Sequence, residues 1–160
     1  MNDNGATPQD QFDEEAFIHE VQDGQFDTEY TSVPEGDYTM SVKQGSTKIV
    51  NGVGKDGRNW RKYTARVTIN SPEAKAATNL ESPSARIAFF LDLNDAGTAL
   101  ASGKNKNVNL GRLLKATGND KAGWNYAAIE GVPFTGTVKH TADKRDASRV
   151  FADVVSFAKL

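Results

Sequence analysis

Between Lys43 and Ile69 the chain carries seven basic residues, Lys43, Lys48, Lys55, Arg58, Arg61, Lys62 and Arg66, against a single acid, Asp56. Trp60 and Tyr63 lie among them. Clustered cations neutralise phosphates and exposed rings stack unpaired bases, so this mixture suits a single-stranded nucleic acid. The same residues also suit a long, solvated β-hairpin whose charges face water. Alternation within the stretch decides which side chains share a surface. Tyr63, Ala65, Val67 and Ile69 fall on one side of a strand, and Trp60, Lys62, Thr64, Arg66 and Thr68 on the other. Tyr63 therefore has a core reading that outweighs its reading as a stacking residue.

Other chemistry finds little support. Gly54-Lys55 is followed by Asp56 where a phosphate-binding loop needs Ser or Thr, and reads as a turn. His19 and His140 lack metal-ligand spacing, and Asp92-x-Asn94-Asp95-x-Gly97 is too short for a calcium loop. There is no cysteine, hence no thiolate site, thiol nucleophile or disulfide framework. The expectation is a protein without a catalytic site, metal or cofactor.

The net charge of −2 conceals a division. Residues 1–42 hold eleven Asp and Glu and no Lys or Arg; residues 43–160 hold all nineteen Lys and Arg against ten acids. A body with this excess of cations implies a polyanionic partner, and the acidic segment implies a separate role. Residues 1–32 read as an acidic, flexible arm, in which Phe17, Ile18 and Val21 could form an amphipathic turn. That arm could cover the edge of its own domain or receive a partner protein. As a tethered polyanion it would also compete with DNA for the body's cations. No run approaches the roughly 18 apolar residues of a membrane span, and an acidic N-terminus is unlike a secretory signal. A cytoplasmic location is the expectation; the oligomeric state stays open.

Residues 33–160 are expected to form one domain. Val33-Pro-Glu-Gly-Asp37 turns into a first strand over Tyr38–Lys43, and the polar loop Gln44–Asn59 contains the turn dipeptides Asn51-Gly52 and Asp56-Gly57. A second strand runs from Trp60 to about Asn70. Residues 71–85 read as a loop with room for one helical turn. Arg86–Leu93 is a third strand with Phe90 on the face opposite Ile87, Phe89 and Leu91. Leu110, Leu113, Leu114 and Thr117 mark a helix over 105–117, with Gly118 at its C′ position. A weaker helix over 122–129, a fourth strand to His140, a polar connection over 141–148 and a fifth strand over 149–158 complete the chain. Strand, strand, strand, helix, strand, strand is the order of the five-stranded OB-type Greek-key barrel, mainly β, with its helix between strands three and four.

Four segments carry a family resemblance: Val33-Pro-Glu-Gly-Asp-Tyr38, the two long strands around the polar loop, Leu110-Gly-Arg-Leu-Leu-Lys-Ala-Thr-Gly118, and Ile129-Glu-Gly131. Through them the chain resembles small phage-encoded single-stranded DNA-binding proteins found with replication and recombination genes. The resemblance spans about Val33 to Phe157. It implies an OB-like barrel that binds DNA without much sequence preference. The expected contacts are then Lys43, Lys48, Lys55, Arg58, Arg61, Lys62 and Arg66 on phosphates, Trp60, Tyr63 and Phe90 on bases, and Lys104, Lys106, Lys144 and Arg145 extending the track, with Arg112 a further candidate. The competing expectation is a non-enzymatic β-barrel virion or interaction protein that meets another protein through these charged loops.

Overall fold

The computed structural model describes residues 12–27 and 29–160. The chain divides into two units, one ending at Tyr30 and the other beginning at Thr31. In the first, helix α1 spans Glu14–His19, and the Asp13 side chain accepts the Ala16 N–H at its start. Carboxylates fill its first turn, where they complement the helix dipole. Phe12 and Phe17 meet with ring centroids 5.2 Å apart, yet Phe12, Phe17, Ile18, Val21 and Phe26 all remain exposed.

The second unit is mainly β: β1 (Gly36–Val42), β2 (Lys48–Val53), β3 (Asn59–Ile69), β4 (Ser84–Leu91), β5 (Phe134–Ala142) and β6 (Val150–Ala158). They form one mixed sheet in the order β1-β5-β6-β4-β3-β2, and a further β1–β3 pairing closes five of them into a ring. Every pairing is antiparallel except β4–β6, where Arg86 stands opposite Asp153. The ring encloses an apolar core that includes Met40, Val42, Tyr63, Val67, Ile69, Ile87, Phe134 and Val138. Tyr63 is at its centre, stacked on Phe89 at 5.1 Å and on Tyr126 at 5.7 Å. Such aromatic pairs add roughly 0.5–1.5 kcal/mol each beyond the area that they bury.

Helix α3 (Val108–Ala116) lies between β4 and β5 in sequence and buries Leu110, Leu113, Leu114 and Ala116. It starts later than the periodicity suggests, because Asn105 and Asn107 both adopt left-handed backbone angles. Asn107 is engaged elsewhere: its Oδ1 accepts the Asp92 N–H at 2.7 Å, and Asp92 Oδ2 accepts its own N–H at 2.7 Å. This clip draws the chain out of the sheet at Leu91, two residues before the expected end of the strand. Gly118 follows the helix with φ +74°, the conformation of a C′ glycine. The loop expected over 71–85 contains helix α2 (Pro72–Thr78), with Ser71 accepting the Ala74 N–H and Pro72 in the first turn. The weaker helix expected over 122–129 is a short 3-10 turn at Tyr126–Ile129.

The polar loop expected between the first two long strands is the largest departure. Six of its residues are β2, a sixth strand outside the ring that pairs with β3 from Lys48↔Thr64 to Val53↔Asn59. Asn51-Gly52 is therefore not a turn. The turn is Gly54–Arg58, where Gly57 takes φ +78° and Asp56 Oδ1 accepts the Arg58 N–H. Among the described residues no helix is long and apolar enough to cross a membrane.

Candidate nucleic-acid interface

The outer face of β2, β3 and β4 carries the basic and aromatic residues in register. Lys48 stands opposite Thr64 and Val50 opposite Lys62 between β2 and β3. On the other side of β3, Lys62 faces Phe90, Thr64 faces Ala88, and Arg66 faces Arg86. The side chains of one strand face alternate, so this register sets Trp60, Lys62, Thr64 and Arg66 in a row beside Phe90, Ala88 and Arg86.

Two adjoining depressions occupy this face. One, of about 510 Å³, is lined by Lys43, Lys48, Lys62, Arg66 and Arg86 together with the loop Gln44–Ser46, and no carboxylate lines it. The other, of about 780 Å³, lies around Trp60 and Phe90, with Arg58 and Lys106 on its rim. It also contains Asp92 and Asp95, so a phosphate is repelled there where a neutral base is not. Lys62 joins the two: it lines the first, and its Nζ lies 5.6 Å from the Phe90 ring centroid.

Trp60 is held by what lies beneath it. Its indole covers Gly52 of β2 so closely that a Cβ on Gly52 would clash with the ring atoms, and it meets Phe90 edge-on at 5.8 Å and 82°. That close approach accounts for the glycine within β2. Phe90 is 66% exposed, an unusual position for a phenyl ring on a strand.

The basic depression is shaped by a carboxylate outside it. Glu130, just before β5, accepts the Gly45 N–H at 3.1 Å and the Thr47 N–H at 3.4 Å, fixing the β1–β2 loop against the ring. Gly131 donates its N–H to Val42 O beside it. The Gly45 amide, with help from Thr47, holds the Glu130 carboxyl below its ordinary range. A depressed carboxyl pKa means that this tie is complete above the ordinary glutamate range and is lost as the pH falls through the lowered value. The Gly45 amide proton should therefore titrate in NMR with a midpoint below that of a free glutamate, and Glu130→Gln should remove the titration. A Gly45 resonance that stays flat through the acid range would mean that the carboxylate does not hold the loop. Beneath that loop, burial pushes the Tyr63 phenol up. Thr47 Oγ1 lies beside it, and neither hydroxyl completes a well-formed hydrogen bond.

Not every residue expected at the interface is on it. Tyr63 is corrected to the core: it is fully buried, on the inner face with Ala65 and Val67. Arg61 shares that parity, and its Nη1 donates to Thr98 O at 3.4 Å, away from Lys62. Lys55 is exposed at the β2–β3 turn, and Lys104 and Arg112 are exposed beyond β4; none of the three lines either depression. Lys144 and Arg145 are exposed on the β5–β6 connection, which Asp143 and Asp146 shape by accepting the Arg145 and Ser148 N–H groups. Lys43, Lys48, Lys62, Arg66, Arg58, Lys106, Trp60 and Phe90 are brought together. Among the described residues, the first four of these cations make no ion pair. Sequence reasoning missed Arg86, Ser46 and Glu130. Arg86 alone had a signal, its position two and four residues before Ala88 and Phe90 on the same strand face.

His140, in β5, contacts Val33 O through Nε2 at 2.7 Å, a tie between the start of the unit and the ring. Among the described residues no three His, Asp or Glu side chains gather as a metal site would require.

No family model matches the chain, and no curated protein matches its sequence.

Proposed function

We propose that the protein is a non-enzymatic single-stranded DNA-binding protein with an OB-type barrel. The observation that carries this reading is the carboxylate-free basic depression running into the half-buried Trp60 and the exposed Phe90 on one sheet face. Phosphates of an extended strand would lie along Lys43, Lys48, Lys62, Arg66 and Arg86, and a base would stack at Trp60 and Phe90. From Trp60 to Arg66 the row is about 20 Å long at the usual strand rise, enough for a short run of nucleotides. A duplex hides its base faces and would use the cations alone.

The ring itself supports the barrel reading. Leaving out β2 and counting in chain order, the ring runs first-second-third-fifth-fourth and back to the first, with the parallel pair between third and fifth and α3 after the third. That order agrees with an OB-type barrel, in which strands two and three would form the ligand face, here β3 and β4. The resemblance to phage single-stranded DNA-binding proteins adds replication or recombination as the setting, with the host cytoplasm as the compartment and the acidic arm as a contact for partner proteins.

The test is a gel shift of the full chain with a single-stranded oligonucleotide and the matching duplex at moderate salt. Retardation of the single strand at concentrations that leave the duplex free is expected. Equal affinity for both would leave a cationic surface without base stacking, and binding of neither would favour an interaction module that uses this face for a protein.

A further inference from the structure

We propose that Arg86 is a fixed phosphate seat in the basic depression and that Asp153 is the residue that positions it. This rests on the single-strand reading above. Arg86 lies on β4 at its one register pair with β6. Its Nε donates to Asp153 Oδ1 and its Nη2 to Asp153 Oδ2 at 3.2 Å, and the guanidinium carbon lies 3.8 Å from the centroid of the Phe151 ring. One edge of the guanidinium plane is thus held by a carboxylate and one face by a phenyl ring. A guanidinium has five N–H donors, and this pairing occupies two, so three are free for an acceptor in the depression that Arg86 lines. Opposite it, Arg66 is turned by an Nη1 bond to Ser84 Oγ at 3.1 Å. Asp153 offsets one of these two facing guanidinium charges, and the positive charge that remains favours a second anion between them. A phosphodiester supplies that anion with geometry that suits a planar fork.

The pair admits a simpler role, a latch between β4 and β6. The two roles predict opposite signs for one substitution. Asp153→Asn removes a negative charge beside a phosphate track, so if the pair is only a latch DNA binding should stay the same or tighten. If Asp153 holds Arg86 in place, the freed side chain must be ordered again on binding, and affinity should fall despite the added positive charge.

The experiment measures binding of the full-length chain to a fluorescent oligothymidylate by anisotropy, well below the melting temperature of each variant. Asp153→Asn is expected to weaken binding by about three- to tenfold. Arg86→Lys should weaken it by a similar factor while leaving the salt slope unchanged, because the charge remains and only the fork is lost. Arg86→Gln should weaken it and reduce the slope by about 0.7. Unchanged or tighter binding by Asp153→Asn, with or without a lower melting temperature, overturns the proposal in favour of the latch. Should Asp153→Asn fail to fold, unchanged affinity in Arg86→Lys overturns it equally. Failure of the wild type to bind the oligonucleotide at all overturns the single-strand reading itself, a result distinct from either.

Discussion

Raising the salt from 50 to 200 mM should weaken single-strand binding by roughly 100-fold, because five cations on phosphates at ~0.7 per contact give a log–log slope of about −3.5. The five are Lys43, Lys48, Lys62, Arg66 and Arg86, the cations that line the depression, of which Arg86 alone is paired with a carboxylate, Asp153. Contacts from Arg58 and Lys106 on the rim of the aromatic end would steepen the slope towards about −5. Lys62→Glu with Arg66→Glu removes two contacts and sets two carboxylates among the remaining cations. That variant should lose most of its affinity at moderate salt, and its slope should fall to about −2. Lys104→Glu with Lys144→Glu makes the same change in net charge at exposed positions outside the depression, and should leave the slope nearly as it was. Tight binding without salt dependence would refute the phosphate track. Equal loss in both double variants would mean that net charge, and not this groove, attracts the strand.

The sequence made the inner face of the ring legible because one side of each long strand is buried. Alternation from Trp60 to Ile69 and from Ile87 to Leu91 separates core from surface wherever the surface side is polar. It made β2 illegible for the same reason. Lys48–Val53 has no buried residue, so it carries no alternation, and its Asn51-Gly52 has the composition of a turn. That glycine answers to the Trp60 indole across the hairpin, a contact that becomes visible only once the strands are paired. Charge alone sets Arg61 among the phosphate contacts, whereas its parity sets it with Tyr63 and away from Lys62. The ties that shape the depression lie beyond any local pattern: Arg86 meets Asp153 across 67 residues, and Glu130 meets Gly45 across 85. Neither pair has a spacing to betray it. The end of β4 at Leu91 follows from the same kind of contact, since the Asn107 side chain takes the Asp92 N–H.

Trp60→Ala should cost ~1–3 kcal/mol of binding, the usual value of one base stacked on an aromatic ring, which is roughly a 5- to 150-fold loss of affinity. The indole lies on the outer face with β2 beneath it, so a base can stack on the side away from Gly52. Its fluorescence should be quenched by oligothymidylate. Trp124 packs edge-on against Tyr126 at 5.1 Å, outside both depressions on the β3–β4 face, and would add a signal of its own, so Trp124→Phe is the background for the titration. The alanine variant also removes packing between β2 and β3, which could weaken binding by loosening the hairpin. Gly52→Ala separates the two effects. It keeps the indole and adds only a methyl group, but that methyl occupies the volume of the ring and must push Trp60 off its seat. Gly52 has no left-handed backbone angle, so the substitution adds no backbone strain. Both variants should bind the oligonucleotide more weakly with melting temperatures close to that of the wild type, and the salt slope should remain near −3.5, since no cation has been touched. Unfolding of Trp60→Ala would make the indole a structural residue. Full binding by a folded Trp60→Ala, with no quenching in the parent, would remove base stacking from the mechanism and leave the cations to hold the strand alone.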